Sequence, residues 1–156
     1  MIQIKKSTTA DTRTCDYSKV TVEQLISSTE SHREDVMRGL EFISEILTRK
    51  GLHHDDDKLD NIKQFYSDFK TGFKSTIWWD DHRKINRHHI NTPDGCPKDV
   101  NLLDVIEHIV DCVMAGKARS GTVYPLSLSP EVLERAFQNT VEMMKNSVEV
   151  VEEDQT

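Results

Sequence analysis

The chain has 156 residues, 36% hydrophobic and 30% charged, with a formal net charge of −7. That length suits one domain with an apolar core and excludes wholesale disorder, because hydrophobic residues recur along most of it. The acidic balance argues against an extended nucleic-acid surface but leaves room for a local basic site. No apolar run approaches the roughly 20 residues that span a bilayer, so no membrane association is expected. The first fifteen residues lack the apolar stretch of a secretory signal, and three scattered cysteines (Cys15, Cys96, Cys112) do not suit a disulfide scaffold. A reducing cytoplasm is the expected compartment.

Residues 1–20 are polar and irregular apart from a short alternating piece at Ile2–Ile4, and read as an extended N-terminal arm. Thr21 and Gln24 have the spacing of a capping box, which satisfies two free amides at a helix start. Positions 25, 29, 32, 36, 40, 43 and 47 then form one face of a helix of about eight turns, which Gly51 is expected to end. A second helix is predicted from about Asp55 to Lys70, with Leu59, Ile62, Tyr66 and Phe69 on one face and Gly72 closing it. A third covers Thr76 to about Ile90, followed by a loop over NTPDGCPKD. Asp99 or Asn101 caps a fourth that reaches about Lys117, and 119–128 form another loop. Ser129-Pro130-Glu131 opens the last helix, carried by Leu133, Phe137, Val141, Met144 and Val148. The prediction is an all-α, single-domain bundle of about five helices over 21–150, with an acidic tail at 151–156. The last helix packs on its own domain or pairs with a second copy in a homodimer.

Three polar groupings interrupt this pattern. His32 sits inside the apolar stripe of the first helix, either as a core histidine bonded to a carbonyl or as a metal ligand. His53-His54-Asp55 follows the first helix directly; it is a solvated turn, or it offers a nitrogen and an oxygen to one cation. Asp104, Glu107, His108 and Asp111 share one face of the fourth helix, with no Lys or Arg among them. Acids so placed repel unless water or a cation intervenes, so the seam faces solvent or a metal. Taken together, a buried-face His, a His-Asp pair and a later Asp supply four ligands for one divalent ion. Imidazole with carboxylate suits Mn, Fe, Co, Ni or Zn, with Mg as a further candidate.

At His32, His54-Asp55 and Asp111 the sequence resembles the HD-domain metal-dependent phosphohydrolases, whose pattern is H…HD…D on a helical bundle. HHDDDK, HRKINRHH and NLLDVIEHIVD further resemble a family of small, mostly phage-borne and bacterial HD-like proteins of unassigned function. That likeness covers roughly residues 25–120. It implies a metal held by His32, His54, Asp55 and Asp111, and a host cytoplasm if the chain is phage-encoded.

Residues 82–90, HRKINRHHI, carry three basic side chains, three histidines and no acid. Beside a metal this segment can receive a substrate phosphate through Arg83 and Arg87, with His82, Asn86 and His89 near them. Alternatively His82 with His88 or His89 holds a second metal, or the segment is a solvated basic helix. Trp78 and Trp79 are expected in the core rather than around a nucleobase. The expected reaction is hydrolysis of a phosphate ester, most simply of a nucleotide. Metal-activated water attacks phosphorus, Arg87 and Lys58 neutralise charge, and a histidine such as His88 protonates the leaving group. Lys58 alternatively only fixes Asp55, while Asp104 and Glu107 orient ligands or act as general base. Two other readings compete: a non-catalytic phage binding or inhibitor protein on the same scaffold, and a His-Asn-His nuclease on His82, Asn86 and His89. The nuclease needs a β-hairpin that the sequence does not signal.

Residues 142–156 hold five acids and one lysine, so much of the net charge is expected in the tail. The rest is nearly balanced between an acidic seam at 104–111 and the basic histidine segment.

Overall fold

The computed structural model describes residues 1–6, 16–74, 77–90 and 96–152. Parts of the predicted arm (7–15), the start of the third helix at Thr76, the loop at 91–95, Cys15 and the tail at 153–156 lie outside the described residues. The rest is mostly helical: α1 (Val22–Leu52), α2 (Asp56–Asp60), α3 (Ile62–Lys70), α4 (Ile77–Ile85), α5 (Leu102–Ser120) and α6 (Pro130–Ser147). Two short strands, β1 (Ile2–Lys5) and β2 (Val148–Val151), pair in parallel with Ile2 opposite Val148. The fold is all-α apart from this patch. No helix among the described residues is long and apolar enough to cross a membrane.

The caps follow side-chain chemistry. The Thr21 amide donates to Gln24 Oε1 at 3.0 Å and the Gln24 amide to Thr21 Oγ1 at 3.2 Å, as the capping box requires. Asn101 and Asp104 form a second box at α5, and Ser129 Oγ accepts from the Val132 amide at α6. Several boundaries differ from expectation. Gly51 lies within α1, which runs to Leu52; the left-handed residue is Asp55. The predicted Asp55–Lys70 helix breaks at Asn61, whose φ of −114° and ψ of 34° leave the helical region. Residues 148–151, read as the end of the last helix, are strand: a β-branched VEVV finds the alternating Ile2–Ile4 piece as its partner. Gly72, with φ 66°, follows the end of α3 as predicted.

Two compact units result, Met1–Glu45 with Glu142–Thr156, and Ile46–Val141. In the first, the α1 stripe expected to face a core is largely open: Leu25, Val36 and Leu40 are exposed and only Ile43 is half-buried. Periodicity specifies which face of a helix is apolar, not what covers it.

In the second unit Ile90, Val100, Val105 and Ala136 form the core, with Leu102, Leu128 and Val132 packed against it. The Leu102 amide donates to Thr140 Oγ1 at 2.8 Å and Asn139 Nδ2 to the Val100 carbonyl at 2.8 Å, so α6 holds the start of α5. At the other end of α5 the chain folds back over Gly116, where a Cβ would stand 2.6 Å from the Thr122 carbonyl oxygen. Gly116→Ala should therefore destabilise by about 1–3 kcal/mol in urea unfolding, although alanine favours helix by about 1 kcal/mol. Cys96 and Cys112 are free thiols.

Candidate metal centre

Two breaks in helical structure build the site, both in the second unit. After α1 the chain turns through His53, His54 and Asp55. Asp55 adopts φ 59° and ψ 26°, a left-handed conformation that aspartate tolerates better than most residues. Adjacent His54 and Asp55 thereby reach the same centre. The second break ends α4 at Ile85, short of the predicted Ile90, and a turn from Asn86 to His89 returns His89 toward His82. Asn86 holds this turn, donating from Nδ2 to Asp57 Oδ1 at 2.9 Å and to the His82 carbonyl at 3.0 Å.

Two sets of side chains converge there, His54 with His88 and Asp111, and Asp55 with His82 and His89. Within each set the ligand atoms lie within 4.8 Å of one another, close enough to hold a metal ion. Asp55 stands between the sets. Its Oδ1 is 3.6 Å from His82 Nε2 and 3.5 Å from His88 Nε2, while its Oδ2 is 3.5 Å from His54 Nε2. His82 and His89 approach through their Nε2 atoms at 2.9 Å, and His54 Nε2 lies 3.6 Å from Asp111 Oδ1.

Behind three of the four rings stands a carboxylate. Glu107 Oε1 lies 3.1 Å from His54 Nδ1 and 3.4 Å from His88 Nδ1, and Asp57 Oδ2 lies 2.8 Å from His82 Nδ1. A proton held on Nδ1 by a carboxylate leaves the Nε2 lone pair free, the tautomer that a metal requires. Two of the inward atoms, Asp55 Oδ1 and His88 Nε2, are buried with no hydrogen-bond partner among the described residues. Buried polar atoms are rarely left so, and a cation held between them would satisfy both. His89 is pushed down to about 4 by burial and by the neighbouring His88 and His82, which keeps its ring neutral and ready to ligate. Trp78 and Trp79 stack on His82 with ring centroids 5.0 and 5.1 Å away. Trp78 is buried, so it belongs to the core as expected and forms the wall behind His82.

The acidic seam of α5 divides into two. Lys50 Nζ donates to Asp104 Oδ1 at 2.7 Å and Glu107 Oε2 at 2.8 Å; Arg87 donates to Asp104 from Nε at 3.0 Å and Nη2 at 2.8 Å. Burial opposes ionisation of Glu107, but hydrogen bonds with His88, Lys50 and His54 outweigh it and bring the carboxyl down to about 2. Asp104 and Glu107 thus meet cations supplied from outside the helix, whereas Asp111 faces His54. Buried His108 hydrogen-bonds the backbone of His88.

Of the ligands predicted from sequence, His54, Asp55 and Asp111 come together here. His32 does not: it lies exposed in the first unit, on the open flank of α1 with Val36, Met37 and Leu40, and joins neither set. The expected phosphate fork of Arg87 is corrected by its contacts, since Asp104, Asp99 and the Asp99 carbonyl take its donors. Arg83 pairs with Asp80, Lys58 with Asp55, and Asn86 with Asp57. His82 and His89, read from sequence as phosphate-binding, share a candidate set with Asp55, and His88, read as the proton donor, shares one with His54 and Asp111, which suits the alternative of a second metal. The His-Asn-His nuclease loses its hairpin, because His82 is on α4 and the only strand pair among the described residues is β1–β2. Lys50 and Asp57 were not singled out by the sequence. Lys50 lies four residues before His54, a spacing that would have suggested a shared helix face.

No protein-family model, no curated protein and no solved structure matches this chain.

Proposed function

We propose that the chain is a metal-dependent phosphohydrolase that uses a two-metal centre to hydrolyse a phosphate ester. The observation that carries this reading is the pair of adjoining two-histidine, one-carboxylate sets with Asp55 between them and two buried ligand atoms unsatisfied. Such ligands suit Mn, Fe, Co, Ni or Zn and leave coordination positions open for water and substrate. Divalent ions held by these two sets would supply acidified water and positive charge for an in-line displacement at phosphorus. The protein's own groups hold the geometry. Glu107 and Asp57 fix three imidazoles, Lys58 restrains Asp55, and Lys50 fixes Glu107 in turn. Overall, water adds to phosphorus, the P–O bond to the alcohol breaks, and the water's proton ends on the departing alkoxide.

Metal analysis of purified protein, joined to phosphate release from a panel of phosphomonoesters with Mn, Co, Zn or Mg added, tests this. His88→Ala should lower both metal affinity and turnover by more than the roughly 10–100-fold lost when only an outer hydrogen bond is removed. His32→Ala should leave both unchanged. Protein that binds metal yet releases phosphate from no ester would be a binding protein, and the hydrolase reading would fall.

A further inference from the structure

Beside the first set of ligands lies a cleft of about 460 Å³, within the size range of small-molecule sites. His54 and Asp111 form its metal-facing end, and Leu47, Ile106, Val110, Met114 and Ala115 its walls. Three wall residues are substantially open to solvent, Ile106 at 42%, Val110 at 50% and Met114 at 66%. Apolar side chains left open against a polar centre gain free energy when an apolar body covers them.

The charges around the centre limit what that body carries. Lys50, the one cation among the described residues that line the cleft, is already held by Asp104 and Glu107. Every other cation within residues 50–58 and 82–90 is likewise engaged: Lys58 by Asp55, Arg83 by Asp80, Lys84 by Asp81 and Arg87 by Asp99 and Asp104. One phosphoryl group can be neutralised at the metal-facing end. A second or third would lie along a cleft whose remaining charges are Glu107 and Asp111, with no further cation among its described lining residues.

We infer that the substrate is a phosphomonoester with an uncharged, largely apolar alcohol part seated against Ile106, Val110 and Met114, rather than a di- or triphosphate. This rests on the phosphohydrolase reading and assigns that site its substrate class. The organic group enters along α5 while the phosphoryl group faces the end of the cleft formed by His54 and Asp111. Val110 and Met114 are the residues that set preference among alcohols.

The test compares metal-loaded wild type on methyl phosphate, n-hexyl phosphate and n-hexyl diphosphate, the first two sharing a primary-alkoxide leaving group. The expected kcat/KM for hexyl phosphate exceeds that for methyl phosphate by at least about tenfold, since apolar pockets discriminate by that factor or more. Val110→Trp, which fills the cleft, should bring the hexyl-to-methyl ratio of kcat/KM close to one, a ratio read within the variant whatever its basal rate. Should that variant not fold, Met114→Glu makes the same test by placing a charge on an exposed wall. The diphosphate should be the poorer substrate despite its better leaving group. Equal kcat/KM for the two monoesters, or faster diphosphate turnover, overturns the substrate assignment and leaves the hydrolase standing. Hydrolysis of none of the three overturns both.

Discussion

Asp55→Asn is expected to lose metal from both sets, although it removes a charge and little volume. Asp55 is the group whose carboxylate oxygens approach His54, His82 and His88 together, at 3.5–3.6 Å. Amide nitrogen cannot ligate, and a neutral carboxamide oxygen binds transition metals weakly. Metal affinity should fall by well over the roughly 100-fold upper range for loss of an outer hydrogen bond. Glu107→Gln supplies the comparison. It weakens the support of His54 and His88 without removing a ligand, and should cost about 10–100-fold. Thermal unfolding gives a second readout. Metal at 100 times its dissociation constant should stabilise wild type by about 2.7 kcal/mol, and Asp55→Asn should show almost none of that rise. Equal metal-dependent stabilisation in the two proteins would sink the proposed centre. The left-handed backbone at position 55 does not confuse the result, because asparagine accepts that conformation as readily as aspartate.

How far the sequence reveals this molecule depends on the range of the interaction concerned. Caps were legible because the partners are three residues apart: Thr21 with Gln24, Asn101 with Asp104, Ser129 with Val132. Helix existence was legible from period, and the ends less so. Nothing local announces that Asn86 will be drawn off α4 by Asp57, 29 residues earlier in sequence, and that tie helps the chain stop at Ile85. The consequence reached the site directly, because His88 and His89 placed on a helix face would serve a substrate, whereas placed after a turn they meet His82.

The polar seam illustrates the same limit. The i, i+3, i+7 spacing of Asp104, Glu107 and Asp111 does put them on one side of α5, but their duties depend on cations from other elements. Lys50 comes from α1 and Arg87 from the turn after α4, and they take two acids of the three. His32 failed in the opposite sense. Its place in an apolar stripe implied burial, yet that stretch of α1 is exposed in its own unit. A histidine at helical spacing from Val36 records the face it occupies and not the depth of that face.

Asp104→Ala should give the largest loss of stability, about 3–5 kcal/mol by analogy with other broken buried ion pairs. Asp104 is fully buried and accepts from Lys50, from two nitrogens of Arg87 and from the Asn101 amide. Its removal leaves two cations short of their shared counter-ion and opens the capping box at α5. Arg87 is about a third exposed and keeps Asp99, and Lys50 keeps Glu107, which places the expected loss toward the lower end of that range. Asp104→Asn keeps an acceptor for the cap and should lie between the alanine variant and wild type. Burial opposes the charge on Lys50, but hydrogen bonds to Asp104 and Glu107 outweigh it and raise the amine above its ordinary 10.5. A raised amine stabilises the fold fully below 10.5 and loses that contribution as pH rises through the higher folded value. The deficit of Asp104→Ala should therefore be constant through neutral pH and shrink only in strong alkali. Urea unfolding at neutral and alkaline pH measures both features, and a neutral-pH loss below about 1 kcal/mol, the range of an exposed pair, would show that Asp104 is not the hub of the network.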